Sequence, residues 1–131
     1  MPDIAFVNGH FLPWKDAVVS IDDRGFQFGD GVYEVIRTYR GAPFELAAHL
    51  ARLERSTKEL NLVQPYSRAQ WTQWIQQGLG QAGYQEAKVY IQITRGTAPR
   101  AHAFPSGVSP TVVMTIRELH PLSLQLRQDG V

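Results

Sequence analysis

The sequence predicts an α+β domain: a mostly antiparallel sheet with two helices on one of its faces. Two observations carry this. Strand-like alternation of apolar and polar residues appears near both ends of the chain, and two segments with helical spacing lie between them. Runs of strands and helices in separate blocks, rather than in strict alternation, point to helices covering one side of an antiparallel sheet.

The elements follow in order. Ile4 to Val7, then Asn8-Gly9, then His10 to Leu12 read as a β-hairpin, because Asn-Gly accepts the two positive φ angles of a type I′ turn. Ala17 to Ile21 reads as a further short strand, and Asp22 to Gly31 as a polar, glycine-rich loop. In the next strand Val32, Glu34, Ile36 and Thr38 share one face, and Tyr33, Val35, Arg37 and Tyr39 the other. Arg40-Gly41-Ala42-Pro43 turns the chain. Leu46, Leu50, Leu53 and Leu60 then fall on one side of a helix. A second helix starts at Ser67, where Ser67 and Gln70 have capping-box spacing. Trp71, Trp74, Ile75, Gly78 and Leu79 form its apolar face, and Gly83 is its stop. Ala87 to Arg95 and Thr111 to Arg117 are the closing strands. Residues 1–118 thus form one domain, and residues 119–131 a connector leaving it.

Composition narrows the function. The chain has 131 residues, 44% of them hydrophobic and 19% charged, with a formal net charge of +1. That balance suits a globular domain and argues against nucleic acid or an anionic membrane as partner. There is no cysteine, hence no disulfide, thiolate nucleophile or Cys-based zinc site. No basic segment followed by an apolar run marks a signal peptide, and no apolar run approaches the ~20 residues that span a bilayer. A cytoplasmic protein is expected.

Three places offer chemistry. The glycines of the Asp22–Glu34 stretch let backbone approach a ligand closely, but their spacing fits neither a dinucleotide fingerprint nor a phosphate loop, and its acids fit no calcium loop. A solvated turn is the plainer reading. In His49-Leu50-Ala51-Arg52-Leu53, Arg52 stands beside the apolar stripe, where its fork of donors can pair with a carboxylate or grip a phosphate, or simply lie at the surface. Arg95-Gly96-Thr97-Ala98-Pro99-Arg100-Ala101-His102 follows a strand. Arg100 and His102, two apart, share a face in extended backbone and make a candidate anion site, against a solvated basic loop. The four histidines have no metal-site spacing, so no metal is expected.

These same segments resemble a known family. Asp23 to Val35 is similar to the first motif of class IV (fold-type IV) aminotransferases, and His49 to Leu53 to their helix motif. Arg95 to Pro105 resembles a stretch typical of D-amino-acid transaminases, against branched-chain aminotransferases and aminodeoxychorismate lyases. The resemblance implies a pyridoxal 5′-phosphate enzyme that moves an amino group between a D-amino acid and a 2-oxo acid. It implies that Arg52 holds the cofactor phosphate and that Tyr33 sits near the substrate carboxylate. Arg100 and His102 would complete the carboxylate trap from the partner subunit of a homodimer. The family's Schiff-base lysine and the glutamate facing the pyridine nitrogen belong to a second domain, absent here. The lysines present are Lys15, Lys58 and Lys88, none at the expected place. The chain alone is therefore expected to be inactive and, with Trp71, Trp74, Phe26 or Phe28 facing a missing neighbour, to self-associate. A non-catalytic interaction module on the same fold is the alternative.

Overall fold

The computed structural model describes residues 2–130. Six strands, β1 (Ile4–Val7), β2 (His10–Leu12), β3 (Gly31–Tyr39), β4 (Ala42–Pro43), β5 (Ala87–Thr94) and β6 (Thr111–Glu118), form one sheet in the order β2-β1-β6-β5-β3-β4, with every neighbouring pair antiparallel. Helices are α1 (Arg24–Phe28), α2 (Leu46–Glu59), α3 (Arg68–Ala82) and α4 (Leu124–Asp129). The first hairpin turns at Asn8 and Gly9, with φ of 49° and 93°, as the dipeptide predicts.

Register builds the core. On the face carrying α2 and α3, Ile36, Val89, Ile116 and Ile4 line up across four strands, as do Glu34, Ile91, Met114 and Phe6. All eight are buried. Leu50 and Leu53 of α2 and Trp71, Ile75, Leu79 and Ala82 of α3 close over them. α3 packs close on the sheet at Gly78, where an added Cβ would stand 2.5 Å from Ile116 Cδ1. On the opposite face Tyr33, Gln92, Val113 and Val7 form one row, and Val35, Tyr90, Thr115 and Ala5 the next. α2 and α3 leave that side uncovered; α1 meets it at Thr94, and part of it lies under the 14–19 segment, over a cavity of about 300 Å³ with no ionisable side chain in its wall.

Several expectations need correction. Ala17 to Ile21 is not a strand: the chain runs from a 3₁₀ turn at Trp14–Asp16 without a ladder partner, and Val18, Val19 and Ile21 are exposed. The loop from Asp22 to Gly31 contains α1. Asp23 caps it by accepting from the Gly25 N–H, and Gly29 ends it at φ 64°. Leu60 does not extend the α2 stripe. The chain reverses at Asn61, φ 54°, and Leu62 N–H bonds back to the Thr57 carbonyl, so Leu62 is buried instead. At α3, Ser67 accepts from the Gln70 N–H as expected, but the Gln70 side chain donates to Gln73 rather than accepting from the Ser67 N–H. Trp71 fills this domain's own core, with its ring N–H on Gln64. Trp74 is half-buried against Phe6 and Tyr66. Only Phe26, of the aromatic residues considered for an outer contact, is largely exposed. The connector holds the short helix α4, capped by Ser123.

Candidate active site

Strand β3 carries the first part of the site. Gly31 opens it because a side chain there would collide with β5: an added Cβ would lie 2.6 Å from the Ile93 carbonyl oxygen. Alternation then sends Tyr33 out of the uncovered face and Glu34 into the helix layer. Tyr33 is exposed, its ring 5.9 Å from that of Tyr90.

Glu34 is a carboxylate in an apolar row, and α2 supplies its partners. Arg52 donates through Nε at 2.6 Å and Nη2 at 2.8 Å, one to each carboxylate oxygen. His49 Nδ1 lies 2.7 Å from Oε2. A carboxylate accepts only, so Nδ1 carries the proton and the tautomer is set. His49 and Arg52 are three apart, which puts them on one helical face. Burial alone pushes the Glu34 carboxyl up. The hydrogen bonds from Arg52 and His49, with their charges, outweigh it and hold the group below its ordinary value. Arg52 itself is more than half exposed, with its third nitrogen, Nη1, unpartnered among the described residues. It opens onto a shallow cavity of about 280 Å³ lined by Phe44, Glu45, Ala48 and His49. The result is a guanidinium fixed on one edge and presented on the other, suited to an anion with several oxygens.

The second part is the stretch from Gly96 to Pro110, which has almost no regular structure. Its base is tied to the capping turn of α1: Arg24 N–H donates to the Gly96 carbonyl at 2.8 Å, Ala98 N–H to Asp22 at 3.2 Å, and Asp23 bridges Thr97. Beneath lies an ion cluster. Arg24 Nε and Arg95 Nε both donate at 2.8 Å to the same oxygen of Asp30, Oδ2; both arginines are buried, and the Asp30 side chain is only 9% exposed. Arg24 also reaches the Ala101 and His102 carbonyls, at 2.6 and 3.4 Å, and Arg95 the Leu60 and Asn61 carbonyls at the end of α2. Burial alone would raise Asp30; the two arginines pull it below its ordinary value.

Arg100 and His102 are both exposed and both meet the Phe28 ring, Arg100 at 5.0 Å and His102 at 5.7 Å from its centre. The structure therefore brings Arg100 and His102 together at one place, and Arg52 together with Glu34 and His49 at another. Tyr33 is one residue from Glu34 on the other side of the sheet. Among the described residues its ring partner is Tyr90, whereas that of His102 is Phe28. Sequence reasoning missed Arg24 and Arg95 as structural cations and Asp30 as their shared partner. No His/Cys/Asp/Glu cluster that could hold a metal occurs among the described residues.

Both acids lower their folded pKa, so both stabilise the fold above their unfolded values, near 3.8 for Asp30 and 4.5 for Glu34. That contribution is lost as pH falls through the lower folded values. Unfolding free energies from urea titrations should hold between pH 5 and 7 and fall below pH 4. A flat profile down to pH 3 would contradict the pairing.

Comparison with known proteins completes the picture. Residues 31–129 match the family described as amino-transferase class IV. The D-alanine aminotransferase of Staphylococcus epidermidis is 36% identical over 126 residues, covering 96% of this chain and 45% of the relative. That of Listeria monocytogenes is 40% identical over 127 residues, covering 95% of this chain and 44% of the relative. The chain thus spans under half the length of these relatives. Among solved structures, the branched-chain aminotransferase of Escherichia coli superposes with a TM-score of 0.84 at 22% identity, over 89% of this chain and 41% of that one. The 4-amino-4-deoxychorismate lyase of Pseudomonas aeruginosa gives 0.76 at 28% identity, over 97% and 44%. The fold is that of the first part of a fold-type IV aminotransferase, and with three-quarters of its length matching the family, this chain belongs to the class IV aminotransferases.

Proposed function

We propose that the chain forms residues 1–118 and the following connector of a pyridoxal 5′-phosphate transaminase exchanging an amino group between a D-amino acid and a 2-oxo acid. The observation that carries this is Arg52: a buried glutamate fixes one edge of its guanidinium while the other opens to a cavity. The D-alanine aminotransferase relatives support the D-amino acid. A phosphate with three oxygens fits the open edge of Arg52, so the donor set suits the phosphate end of the cofactor. The cofactor, when bound, withdraws electrons from the substrate Cα. This chain's residues bind and orient. Arg52 grips the phosphate, and Tyr33, on the sheet face away from α2 and α3, borders the substrate. Arg100 and His102 direct a carboxylate. In this reading they serve the site of a partner subunit in a homodimer, as the family resemblance implies, and their separate ring partners, Phe28 for both and Tyr90 for Tyr33, support it. No helix is long and apolar enough to cross a membrane, and the proposed compartment is the cytoplasm, where a chain without cysteine has no need of oxidation.

None of the three lysines is among the residues assigned to this constellation. Lys15 lies in the 3₁₀ turn, Lys58 in the last turn of α2 and Lys88 in β5. The 131-residue chain by itself should therefore show no transamination. Incubation with pyridoxal phosphate, borohydride reduction and mass analysis should find no single stoichiometric lysine adduct accompanied by turnover.

The division of roles is tested in the longer enzyme by steady-state kinetics with D- and L-alanine and by a cofactor dissociation assay. Arg100→Ala should lower kcat/KM for D-alanine by about one to two decades, the loss of a charged hydrogen-bond partner, and keep its cofactor. Arg52→Ala should instead shed cofactor. If Arg100→Ala retains its kcat/KM, or sheds cofactor as Arg52→Ala does, the roles are wrongly assigned. The 28% identity to a lyase favours aminodeoxychorismate cleavage as the second reading. Robust lyase turnover without transamination of D-alanine would establish that instead.

A further inference from the structure

We propose that Arg24 is a positioning residue for carboxylate recognition: it holds residues 101–103 from beneath, so that Arg100 and His102 stand side by side on Phe28. What they recognise rests on the function proposed above; that Arg24 holds them rests on the structure.

The apex of this loop has no ladder and no helix of its own. Its base is fixed by backbone bonds at Gly96, Thr97 and Ala98, but those end before Arg100. Beyond them, the Arg24 guanidinium meets three successive carbonyls: Nη1 donates to Ala101 at 2.6 Å and to Ala103 at a long 3.5 Å, and Nη2 to His102 at 3.4 Å. Carbonyls turned toward one buried cation set the course of the chain between them, and hence where the flanking side chains emerge. The same cation touches the platform on which those side chains rest. The Arg24 guanidinium carbon is 4.8 Å from the centre of the Phe28 ring that also carries Arg100 and His102. Phe104 closes the far side, 3.7 Å from the Arg95 guanidinium.

Charge explains why Arg24 is free for this task. Asp30 is the sole carboxylate paired with either arginine among the described residues, so two buried cations share one anion. The excess positive charge is met by carbonyl dipoles. Arg95 spends its share on the fixed end of α2, and Arg24 on the loop. Removing Arg24 leaves a balanced Arg95–Asp30 pair, which the core can hold. The second cation is therefore surplus to pairing with Asp30, and its use lies with the loop. A planar fork suits this because Nε stays on Asp30 while the two terminal nitrogens face the carbonyls; an ammonium cannot span both.

The experiment is Arg24→Gln, with Arg24→Lys as second variant, in the complete enzyme with its cofactor. Trypsin cleavage after Arg100 should accelerate about tenfold or more, since proteolysis follows local opening. KM for D-alanine should rise about tenfold with kcat within about twofold, and cofactor retention should be unchanged because Arg52 and Glu34 are untouched. Arg24→Lys, with charge kept but geometry lost, should fall between the two, and it decides the matter if the glutamine variant does not fold. Unchanged cleavage with unchanged KM overturns the proposal. So does a joint fall of kcat, KM performance and cofactor retention, which would mark a merely structural arginine. If the unaltered enzyme fails to transaminate D-alanine, the proposed function falls, and Arg24 stands or falls on the cleavage result alone.

Discussion

Asp30→Asn should cost about 3–5 kcal/mol of folding stability, the loss expected when one partner of a buried ion cluster is removed. The reason lies in the count of charges. Asp30 Oδ2 is the common acceptor for Arg24 and Arg95, and the three side chains are each at most 10% exposed. An asparagine keeps the shape but leaves two guanidiniums near each other with only carbonyls for company. Burial of unpaired charge is among the most expensive single changes a protein meets. Arg24→Gln, which leaves one cation and one anion, should cost much less. Urea denaturation of the three proteins with matched m-values measures the order. A loss below about 1 kcal/mol in Asp30→Asn would mean that the cluster is hydrated rather than buried.

Gly96→Ala should be nearly as damaging, for a steric reason. Gly96 sits at φ 112°, in a region that side chains rarely adopt, and an added Cβ would land on the Ser109 carbonyl oxygen. The obstacle is backbone, so it cannot rotate away. Strain of about 1–3 kcal/mol from φ adds to the clash. Because Gly96 also accepts the Arg24 N–H, any shift there is passed to α1. The expected outcome is a drop in Tm of more than about 5 °C together with faster exchange of the Arg24 amide. An alanine variant of ordinary stability would show that this turn has another conformation within reach.

How much of this could be read from the sequence varies with the distance over which each feature is decided. Alternation in Val32 to Tyr39 is local, and it already separated Tyr33 from Glu34. The stripe of α2 was also local up to Leu53; it failed at Leu60, because the αL turn at Asn61 is decided by how the chain must reverse, not by period. Ala17 to Ile21 has the composition of a strand but runs over the face of the sheet instead of along an edge, and pairing is a property of the whole sheet. α1 was hidden because five residues containing a glycine carry no period. Arg24 was hidden for a harder reason: its partners are Asp30, six residues on, and carbonyls 77 or more residues away. An arginine after two aspartates reads as a solvated charge until the fold brings those carbonyls to it. The parts assigned to Arg52, Tyr33, Arg100 and His102 came through family resemblance; spacing alone reached no further than an anion site.

The two-residue pitch of β3 has a consequence for how such a protein can change over generations. Glu34, Ile36 and Thr38 answer to the packed interior, whereas Tyr33 and Val35 look away from it. Substitutions at Tyr33 and Val35 can therefore be tried one at a time with little risk to folding, and Tyr33 is the one that borders the proposed substrate. Those at the even-numbered positions are locked. An inserted or deleted residue would exchange the two sets at a stroke, sending a tyrosine into the interior and leaving Arg52 without its carboxylate. New substrate preferences in this lineage should thus arise by replacement along β3, and length changes should be found only beyond its ends.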